Sequence, residues 1–219
     1  MNFNLKDYFE CENQFYLNAP IARISKFSAQ MELFRKVSNI PGDIVECGVY
    51  KGVSLSRFIK FREIFENSWS KRIIAFDTFG KFPKTNYKFG KLERKDFLKV
   101  ANSNKSISLK EYIKLLKTQN LYNNIELIKG DVHVTLKQYK KKNPQLRLSL
   151  LHIDVDLYES TKVCLKELFP LVVRGGIVML DDYNKFAGAG KAIDDFLKEN
   201  NFQIKKIPYC GSVSFVEIN

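Results

Sequence analysis

Acidic residues stand directly after two short apolar runs in the second half of the sequence. Asp154 and Asp156 follow the run LSLLHI, and the pair Asp181 and Asp182 follows GIVML. If both runs are parallel strands, their carboxyl ends share one edge of a sheet, and residues two apart in a strand, such as Asp154 and Asp156, point the same way. Carboxylates that converge there would repel one another unless a cation joined them, and oxygen donors favour Mg²⁺, Mn²⁺ or Ca²⁺. The alternative is that each acid caps a helix or pairs with a lysine.

A turn with two glycines follows an earlier apolar run, in the sequence DIVECGVYKGVS at residues 43–54. Glu46 ends the run, and Ser54 begins a predicted helix. Between them, Gly48 and Gly52 allow the backbone to approach a ligand. The spacing Glu-x-Gly-x-x-x-Gly differs from the Gly-x-Gly-x-x-Gly pattern that binds a pyrophosphate. An acid before the glycines would repel phosphate and could hold an ammonium group, which favours the methionine part of S-adenosylmethionine over NAD. A tight turn without a ligand is the alternative.

Two more acids end strand-like runs. Asp77, followed by Thr78, ends the run IIAF, and Asp131 comes after IELIKG. A carboxylate at such a position can accept both hydroxyls of a ribose, and Asp131 could reach an adenine amino group. Asp at a strand-to-helix junction is also a common helix cap. Three acids at successive strand ends nevertheless predict a site for a nucleoside-bearing cofactor. We assign to this site Glu46, Gly48, Gly52, Ser54, Asp77, Thr78 and Asp131.

Short apolar runs alternate with amphipathic stretches from about residue 43 onwards, which is typical of a parallel sheet covered by helices on both faces. The last two runs are joined by residues 208–211 alone, a length that suits an antiparallel hairpin. We therefore predict an α/β fold with a seven-stranded sheet, in which six strands are parallel and a closing hairpin strand is antiparallel. The predicted strands are 43–49, 72–78, 125–130, 148–154, 176–180, 202–207 and 212–217. The predicted helices are 28–37, 53–67, 109–119, 134–141, 160–171 and 189–200.

Residues 79–108 interrupt this alternation with a long, lysine-rich segment that has no clear period. A long excursion in a compact domain is typical of a lid or a binding loop, with a solvated loop as the alternative. The chain has no internal repeat, so we predict a single domain over residues 1–219, with this lid-like insertion and an N-terminal extension at 1–27. The extension lies outside the core pattern and could serve contacts between copies of the chain, as in a homo-oligomer.

Composition narrows the class of protein. The chain has 219 residues, 45% of them hydrophobic and 27% charged, which excludes a disordered or fibrous protein. The net charge is +12, which leaves nucleic acid, an anionic membrane and a phosphorylated substrate open as partners. Four widely spaced cysteines indicate a reduced, cytoplasmic protein. No apolar run approaches the ~18 residues that a membrane span requires.

Five stretches of the chain carry more specific patterns. They are DIVECGVYKGVS at 43–54, AFDTF at 75–79, DVDLYEST at 154–161, GGIVMLDDY at 175–183 and KAIDDF at 191–196. Together they resemble the macrocin O-methyltransferase family, and the resemblance runs from about residue 28 to the end of the chain. It implies a class I methyltransferase fold and an enzyme that uses S-adenosylmethionine and Mg²⁺ to methylate a sugar hydroxyl.

The resemblance also implies roles for single residues. Those implied to hold the metal are Asp154, Asp181 and Asp182, and those implied to surround the cofactor are Glu46, Gly48, Asp77 and Asp131. The distantly similar catechol enzymes have a lysine shortly after the metal aspartate as general base, whereas this chain has Val155-Asp156-Leu157 there. A carboxylate must then accept the proton, and the predicted catalytic residue is Asp154 or Asp156.

The main alternatives are a nucleic-acid-binding protein and a nucleic-acid methyltransferase. The first would interleave aromatic and basic residues along a strand or helix, a pattern the predicted elements lack, and the second would need no carboxylate cluster. A dehydrogenase is disfavoured by the glycine spacing. Nine basic residues and only two acidic ones lie between Lys81 and Lys110, so more than half of the net charge of +12 lies in the insertion and the first residues after it. We expect this basic segment to suit a phosphate-bearing acceptor, such as a nucleotide-linked sugar.

Overall fold

The computed structural model describes residues 5–100 and 106–219. Residues 1–4 of the predicted N-terminal extension and residues 101–105 of the predicted insertion lie outside the described residues. Within the described ranges, no helix combines the length and the apolar character needed to cross a bilayer.

Within the described residues, one sheet of seven strands forms the centre of the fold. The strands are β1 (Asp43–Cys47), β2 (Ile73–Asp77), β3 (Ile125–Lys129), β4 (Leu148–Ile153), β5 (Val172–Leu180), β6 (Lys205–Lys206) and β7 (Ser214–Glu217). Their order is β3-β2-β1-β4-β5-β7-β6. Strand β7 pairs antiparallel with both β5 and β6, and the other six strands share one direction. The predicted mixed sheet with a closing hairpin is therefore confirmed, although β6 is shorter than predicted because this edge strand pairs only with β7.

The helices of the described ranges are α1 (Leu5–Asn18), α2 (Ile21–Lys36), α3 (Val53–Phe65), α4 (Lys88–Val100), α5 (Leu109–Thr118), α6 (Val132–Lys142), α7 (Tyr158–Leu168) and α8 (Ala187–Asn200). Six of them correspond to predicted helices. Helices α1 and α4 were not predicted, and α2 begins at Ile21 rather than at residue 28.

Helix α1 was not predicted from the sequence because its side chains do not pack against the hydrophobic core. All side chains from residue 7 to residue 18 are exposed, including those of Phe9 and Leu17, which are 73% and 82% exposed. Such a helix has no periodic set of buried apolar residues, so its sequence pattern does not predict it. Its predicted role in contacts between copies of the chain stays a prediction.

Helix α4 corrects the expectation of a segment without regular structure at 79–108. The helix packs against α8 and against neighbouring loops rather than against the sheet. Phe97 makes these contacts, with its ring centroid 5.3 Å from that of Phe82, 5.5 Å from Tyr50 and 6.2 Å from Phe186. Because its partners are loop and helix side chains, its apolar residues do not follow the pattern of the core helices.

Both faces of the sheet are buried. Consecutive residues of β1 point to opposite faces, so that Ile44 joins one core cluster with α2, α3 and α5 while Val45 joins another with α6, α7 and α8. All six residues of β4 are buried. Burial on both faces explains why these strands read as continuous apolar runs.

The centre of the sheet provides a binding position. Strands β1 and β4 are neighbours, with β2 beyond β1 and β5 beyond β4. The strand order reverses between β1 and β4, and ligands of open α/β sheets bind at the carboxyl ends of the strands on either side of such a reversal. The residues that follow these ends are those singled out in the sequence.

Candidate active site

A cleft opens at the carboxyl edge of β1, β2, β3 and β4. Four of the seven residues predicted for the cofactor line it, together with two acids predicted for the metal and the proton. These residues are Gly48, Asp77, Thr78, Asp131, Asp154 and Asp156. The insertion contributes Phe82, Pro83 and Phe97 to the wall. The cleft thus runs from the predicted cofactor residues to Asp154, the one predicted metal ligand that lines it, and has the insertion along its border.

Gly48 stands where the chain ends of β1 and β4 come closest. Its φ is +94°, and a Cβ placed on it would lie 1.7 Å from the carbonyl oxygen of Asp154. The glycine is thus required by the approach of two backbones. Gly52 has a different reason: its φ is +81°, and a Cβ there would lie 2.5 Å from the ring of Tyr112, away from the cleft.

Asp77 holds the turns that frame the cleft. Its Oδ2 accepts hydrogen bonds from the backbone N–H of Val49 (2.8 Å) and Tyr50 (3.1 Å). Its Oδ1 accepts from Phe79 N–H and from the Ser106 hydroxyl, both at 2.6 Å. Tyr50 and Phe79 have φ values of 48° and 44°, a conformation that costs bulky residues energy and persists only when surroundings hold it. Asp77 therefore organises the cleft, and its predicted contact with ribose stays a prediction.

Glu46 lies beneath the cleft rather than in its wall. It is fully buried, and its Oε1 accepts from the Ser54 hydroxyl and lies 3.3 Å from Nδ1 of His152. Its Oε2 is buried without a hydrogen-bond partner among the described residues. A buried carboxylate oxygen without a partner is costly, so a cationic ligand group would stabilise it. Ser54 thus orients Glu46 and does not face the cleft itself.

Asp131 caps a helix, which was the alternative interpretation of its position in the sequence. Its side chain accepts from the backbone N–H of His133 (2.9 Å) at the start of α6, and Nδ1 of the same histidine lies 2.7 Å away. The cap also lines the cleft, so the predicted contact with adenine remains a prediction. Nearby, Thr78 donates to the carbonyl of Lys81 across 3.1 Å.

The four acids of the later motifs do meet. Ligand atoms of Asp154, Asp156 and Asp182 lie within 4.8 Å of one another, and so do those of His152, Asp154 and Asp181. The expected reason is wrong, because β4 ends at Ile153 and Asp156 stands in a turn with φ +59° rather than two residues along a strand. Instead, Asp182 accepts the backbone N–H of Asp156 across 2.9 Å and so brings the turn back towards β5.

His152 links the two halves of the site. It is fully buried, with Nδ1 near Glu46 and Nε2 3.6 Å from Oδ1 of Asp181. Burial alone would lower its pKa, but the two carboxylates raise that pKa to about 10. The imidazole is therefore a cation at neutral pH, placed between the predicted cofactor acid and a predicted metal ligand.

Lys26 is a site residue that the sequence did not reveal. It lies on α2, within the predicted N-terminal extension, and its Nζ contacts Oδ2 of Asp181. The same ammonium is 3.8 Å from Oδ2 of Asp154. No motif surrounds it in the sequence, and only the packing of α2 beside β4 and β5 brings it to the acids.

The electrostatics of the acid cluster are uneven. Burial and the charge of Asp181 raise the pKa of Asp154 to about 6. Burial raises the pKa of Asp156 and of Asp182 well above the usual range, and each also feels neighbouring carboxylates. For Asp181, burial acts in the same direction, but the nearby His152 imidazolium and the ammonium of Lys26 hold its pKa below the usual range. Without a further cation, the cluster cannot keep all four carboxylates ionised.

These side chains fit a divalent cation. Most of the donors are carboxylate oxygens, which Mg²⁺ and Mn²⁺ prefer, and Asp154 belongs to both groups of side chains whose ligand atoms lie within 4.8 Å of one another. Asp181 Oδ1 is buried and has no hydrogen-bond partner among the described residues. An orphaned acceptor of this kind inside an acid cluster indicates a place for a cation.

The insertion is anchored to the site by Glu159, in the first turn of α7. Glu159 Oε2 accepts from the hydroxyl of Thr85 (2.8 Å), and Oε1 accepts from the backbone N–H of Asn86 (2.9 Å) and Tyr87 (3.1 Å). The ring of Tyr87 stacks on that of Tyr158, with centroids 4.9 Å apart. The same turn that follows Asp154 and Asp156 thus positions the border of the cleft.

The strand order, the antiparallel β7 and the cleft at the carboxyl edge define a Rossmann-like class I methyltransferase fold. A family model described as macrocin O-methyltransferase matches residues 20–212. The chain therefore belongs to the macrocin O-methyltransferase family, and the resemblance read from the sequence is confirmed.

Two relatives in sequence are antibiotic-modifying enzymes. The demethyldecarbamoylnovobiocin O-methyltransferase of Streptomyces niveus is 27% identical over 165 residues, which are 73% of this chain and 59% of that protein. The 8-demethyl-8-(2,3-dimethoxy-alpha-L-rhamnosyl)-tetracenomycin-C 4'-O-methyltransferase of Streptomyces olivaceus is 29% identical over 145 residues, which are 66% of this chain and 54% of that protein. Each match thus covers less than two thirds of the relative's own length.

A similar solved structure is that of CalS11, described as a calicheamicin methyltransferase. It has a TM-score of 0.75 and 25% identity, over 96% of this chain and 85% of that one. An apo structure of CalS11, described there as a TDP-rhamnose 3'-O-methyltransferase, has a TM-score of 0.69 over 99% of this chain and 87% of that one. The similarity extends over almost the whole chain.

Proposed function

We propose that this chain is an S-adenosylmethionine-dependent and divalent-metal-dependent O-methyltransferase that acts on a hydroxyl of a sugar or of a sugar-containing acceptor. One observation carries the proposal: a single cleft is lined both by strand-end residues of β1 to β3 and by Asp154 and Asp156 of the acid cluster. Methyl transfer needs the sulfonium methyl and the acceptor oxygen in line at short distance. A cleft that joins the two sites meets this requirement.

The cofactor is proposed to lie over the ends of β1, β2 and β3. Asp77 and Thr78 would face its ribose, and Asp131 its adenine. Glu46 would receive the ammonium group of the methionine part, which its unpartnered Oε2 supports. Because Gly48 has no side chain, its backbone would be accessible to the cofactor in the cleft. Ser54 and Gly52 would not contact the cofactor. Ser54 orients Glu46 through a hydrogen bond, and Gly52 leaves space for the ring of Tyr112 at the start of α3.

The metal is proposed to be Mg²⁺ or Mn²⁺ held by Asp154, Asp181 and Asp182. When bound, such a cation lowers the pKa of a sugar hydroxyl and stabilises the alkoxide. The chain keeps its carboxylates in place through the backbone. Asp154 N–H donates to Cys47 O (2.9 Å), and Asp181 N–H donates to Ile153 O (3.1 Å).

The proton of the acceptor hydroxyl is proposed to go to Asp154 or Asp156. Of the two, Asp156 lies outside the proposed ligand set, so its carboxylate is free to accept a proton. Once a cation balances the neighbouring carboxylates, Asp156 would be ionised and could accept the proton.

The names of related proteins support a sugar as the acceptor. CalS11 is described as acting on TDP-rhamnose, and the name of the Streptomyces olivaceus relative includes a rhamnosyl group. TDP-rhamnose carries a diphosphate, and the exposed Lys84, Lys88 and Lys91 lie on the insertion that borders the cleft. We therefore propose a phosphate-bearing, nucleotide-linked sugar as acceptor.

Replacement of Lys84, Lys88 and Lys91 by glutamine should weaken the binding of TDP-rhamnose about three- to tenfold at low salt, because attraction between exposed charges is lost. Calorimetry at low and high salt measures the effect, which should shrink as salt rises. A matched control replaces Lys137, Lys141 and Lys142, three exposed lysines on α6, by glutamine. Equal affinity of wild type and the first variant at low salt would contradict the phosphate-bearing acceptor.

The nucleic-acid alternative finds little support in the arrangement of exposed aromatic rings. Tyr8, Phe9 and Tyr16 are exposed on α1, a helix that also carries Asp7, Glu10 and Glu12 and only one lysine. Surfaces that stack bases combine aromatic rings with positive charge. An acidic aromatic helix does not meet that condition.

Calorimetric titration of S-adenosylhomocysteine, with and without Mg²⁺, tests the proposed function. We expect binding in both conditions, because the cofactor residues and the proposed metal ligands are mostly distinct. We also expect methyl transfer to require Mg²⁺ or Mn²⁺. The absence of binding in both conditions would rule out the methyltransferase.

A further inference from the structure

Lys26 is a partly buried cation inside the acid cluster that the proposed reaction does not use. Its Nζ contacts Oδ2 of Asp181 and lies 3.8 Å from Oδ2 of Asp154, and both acids belong to the proposed ligand set. The side chain is only 19% exposed. The ammonium therefore takes the position that any cation between these two carboxylates would take.

The ammonium and a divalent cation cannot both occupy this position. Positive charges held a few ångströms apart repel strongly where water is largely excluded. The carboxylates are fixed at the ends of β4 and β5 by the backbone hydrogen bonds of Asp154 and Asp181. Lysine, by contrast, carries its charge on a flexible four-carbon stem, so the ammonium is the group that can leave.

We propose that Lys26 is a competing cation: it bridges Asp154 and Asp181 in the metal-free protein and leaves them when a divalent metal binds. This inference rests on the proposed metal site. Lys26 then keeps the carboxylates together before the metal arrives. It also weakens the apparent metal affinity, in proportion to the small fraction of protein in which the ammonium has already left.

The variant Lys26→Gln should bind Mn²⁺ about tenfold more tightly than wild type, if the open arrangement is about one tenth of the metal-free population. Electron paramagnetic resonance of free Mn²⁺ measures the affinity. Lys26→Arg keeps the charge and should stay close to wild type. Arg35→Gln is a matched control, since it removes one positive charge from an exposed position of the same helix.

Amine labelling read by mass spectrometry gives a second measurement on the unmodified chain. Saturating Mn²⁺ should make Lys26 more reactive, because its ammonium has left the carboxylates. Lys60, which is exposed on α3, should label equally with and without the metal. This readout needs no variant and remains decisive if Lys26→Gln folds poorly.

Weaker Mn²⁺ binding by Lys26→Gln would mean that the ammonium supports the ligands, and it would overturn the competition. Unchanged affinity together with unchanged labelling would overturn it as well. If wild type and variant both fail to bind Mn²⁺, the competition and the metal site fail together. Titration of S-adenosylhomocysteine into the same samples then shows whether the methyltransferase proposal still stands.

Discussion

Asp181→Asn should reduce metal-dependent methyl transfer at least about 100-fold, corresponding to a loss of ~3 kcal/mol of transition-state stabilisation, while the affinity for S-adenosylhomocysteine stays within a few fold of wild type. Asp181 is the acid of the cluster whose pKa is held low, so it carries a full negative charge at neutral pH. Its Oδ1 is buried and unpartnered, and its Oδ2 contacts Lys26. An amide keeps the shape of the side chain but loses the charge that attracts a metal.

Three measurements check this prediction: the transfer rate across a series of Mg²⁺ concentrations, S-adenosylhomocysteine affinity by calorimetry, and thermal unfolding. Asp96→Asn is a matched control, since it removes the same charge from an exposed ion pair with Lys99 on α4. We expect the control to behave as wild type. A large loss of S-adenosylhomocysteine affinity in Asp181→Asn, with metal dependence retained, would place this acid in the cofactor site instead.

Gly48→Ala should destabilise the fold by at least about 3 kcal/mol or displace the turn that carries Asp154. The added carbon would lie 1.7 Å from a backbone carbonyl, at a residue whose φ of +94° already disfavours any side chain. The clashing atoms are the backbone O and C of Asp154, whose N–H donates to Cys47 O at the end of β1, so the turn cannot move away without breaking that hydrogen bond. Because Asp154 and the cleft wall share this contact, the binding of S-adenosylhomocysteine and of metal should both weaken.

Chemical denaturation and both titrations measure the effect of Gly48→Ala. Gly211→Ala is the control, since a Cβ there meets no atom within 4 Å. We expect it to leave stability and binding unchanged. Wild-type stability together with wild-type metal affinity in Gly48→Ala would show that the ends of β1 and β4 do not approach each other this closely.

The sheet could be predicted because its strands are buried on both faces. Continuous apolar runs such as LSLLHI mark them, and each ends at a glycine or an acid where the chain turns towards a helix. The closing hairpin followed from the short link at 208–211. The ends of the elements were less certain, because edge strands such as β6 and the first turns of helices carry few buried side chains.

Helices α1 and α4 could not be predicted from core periodicity. The described side chains of α1 face solvent, and α4 packs on Tyr50, Phe82 and Phe186 rather than on the sheet. Asp156 is an instructive case. Strand alternation predicted that its side chain would converge with that of Asp154. The two side chains meet instead because Asp156 lies in a turn with positive φ and its N–H donates to Asp182.

The sequence by itself determined the family, the succession of strands along the chain and the set of acids at their carboxyl ends, because these depend on local patterns of burial and turn residues. Only the tertiary structure decided which of those residues reach the cleft: Gly48, Asp77 and Asp131 line it, whereas Glu46 and Ser54 lie beneath it. Only the tertiary structure brought Lys26 to Asp181, 155 residues away along the chain. A contact between distant segments leaves no local pattern, since it depends on how α2 packs beside the sheet.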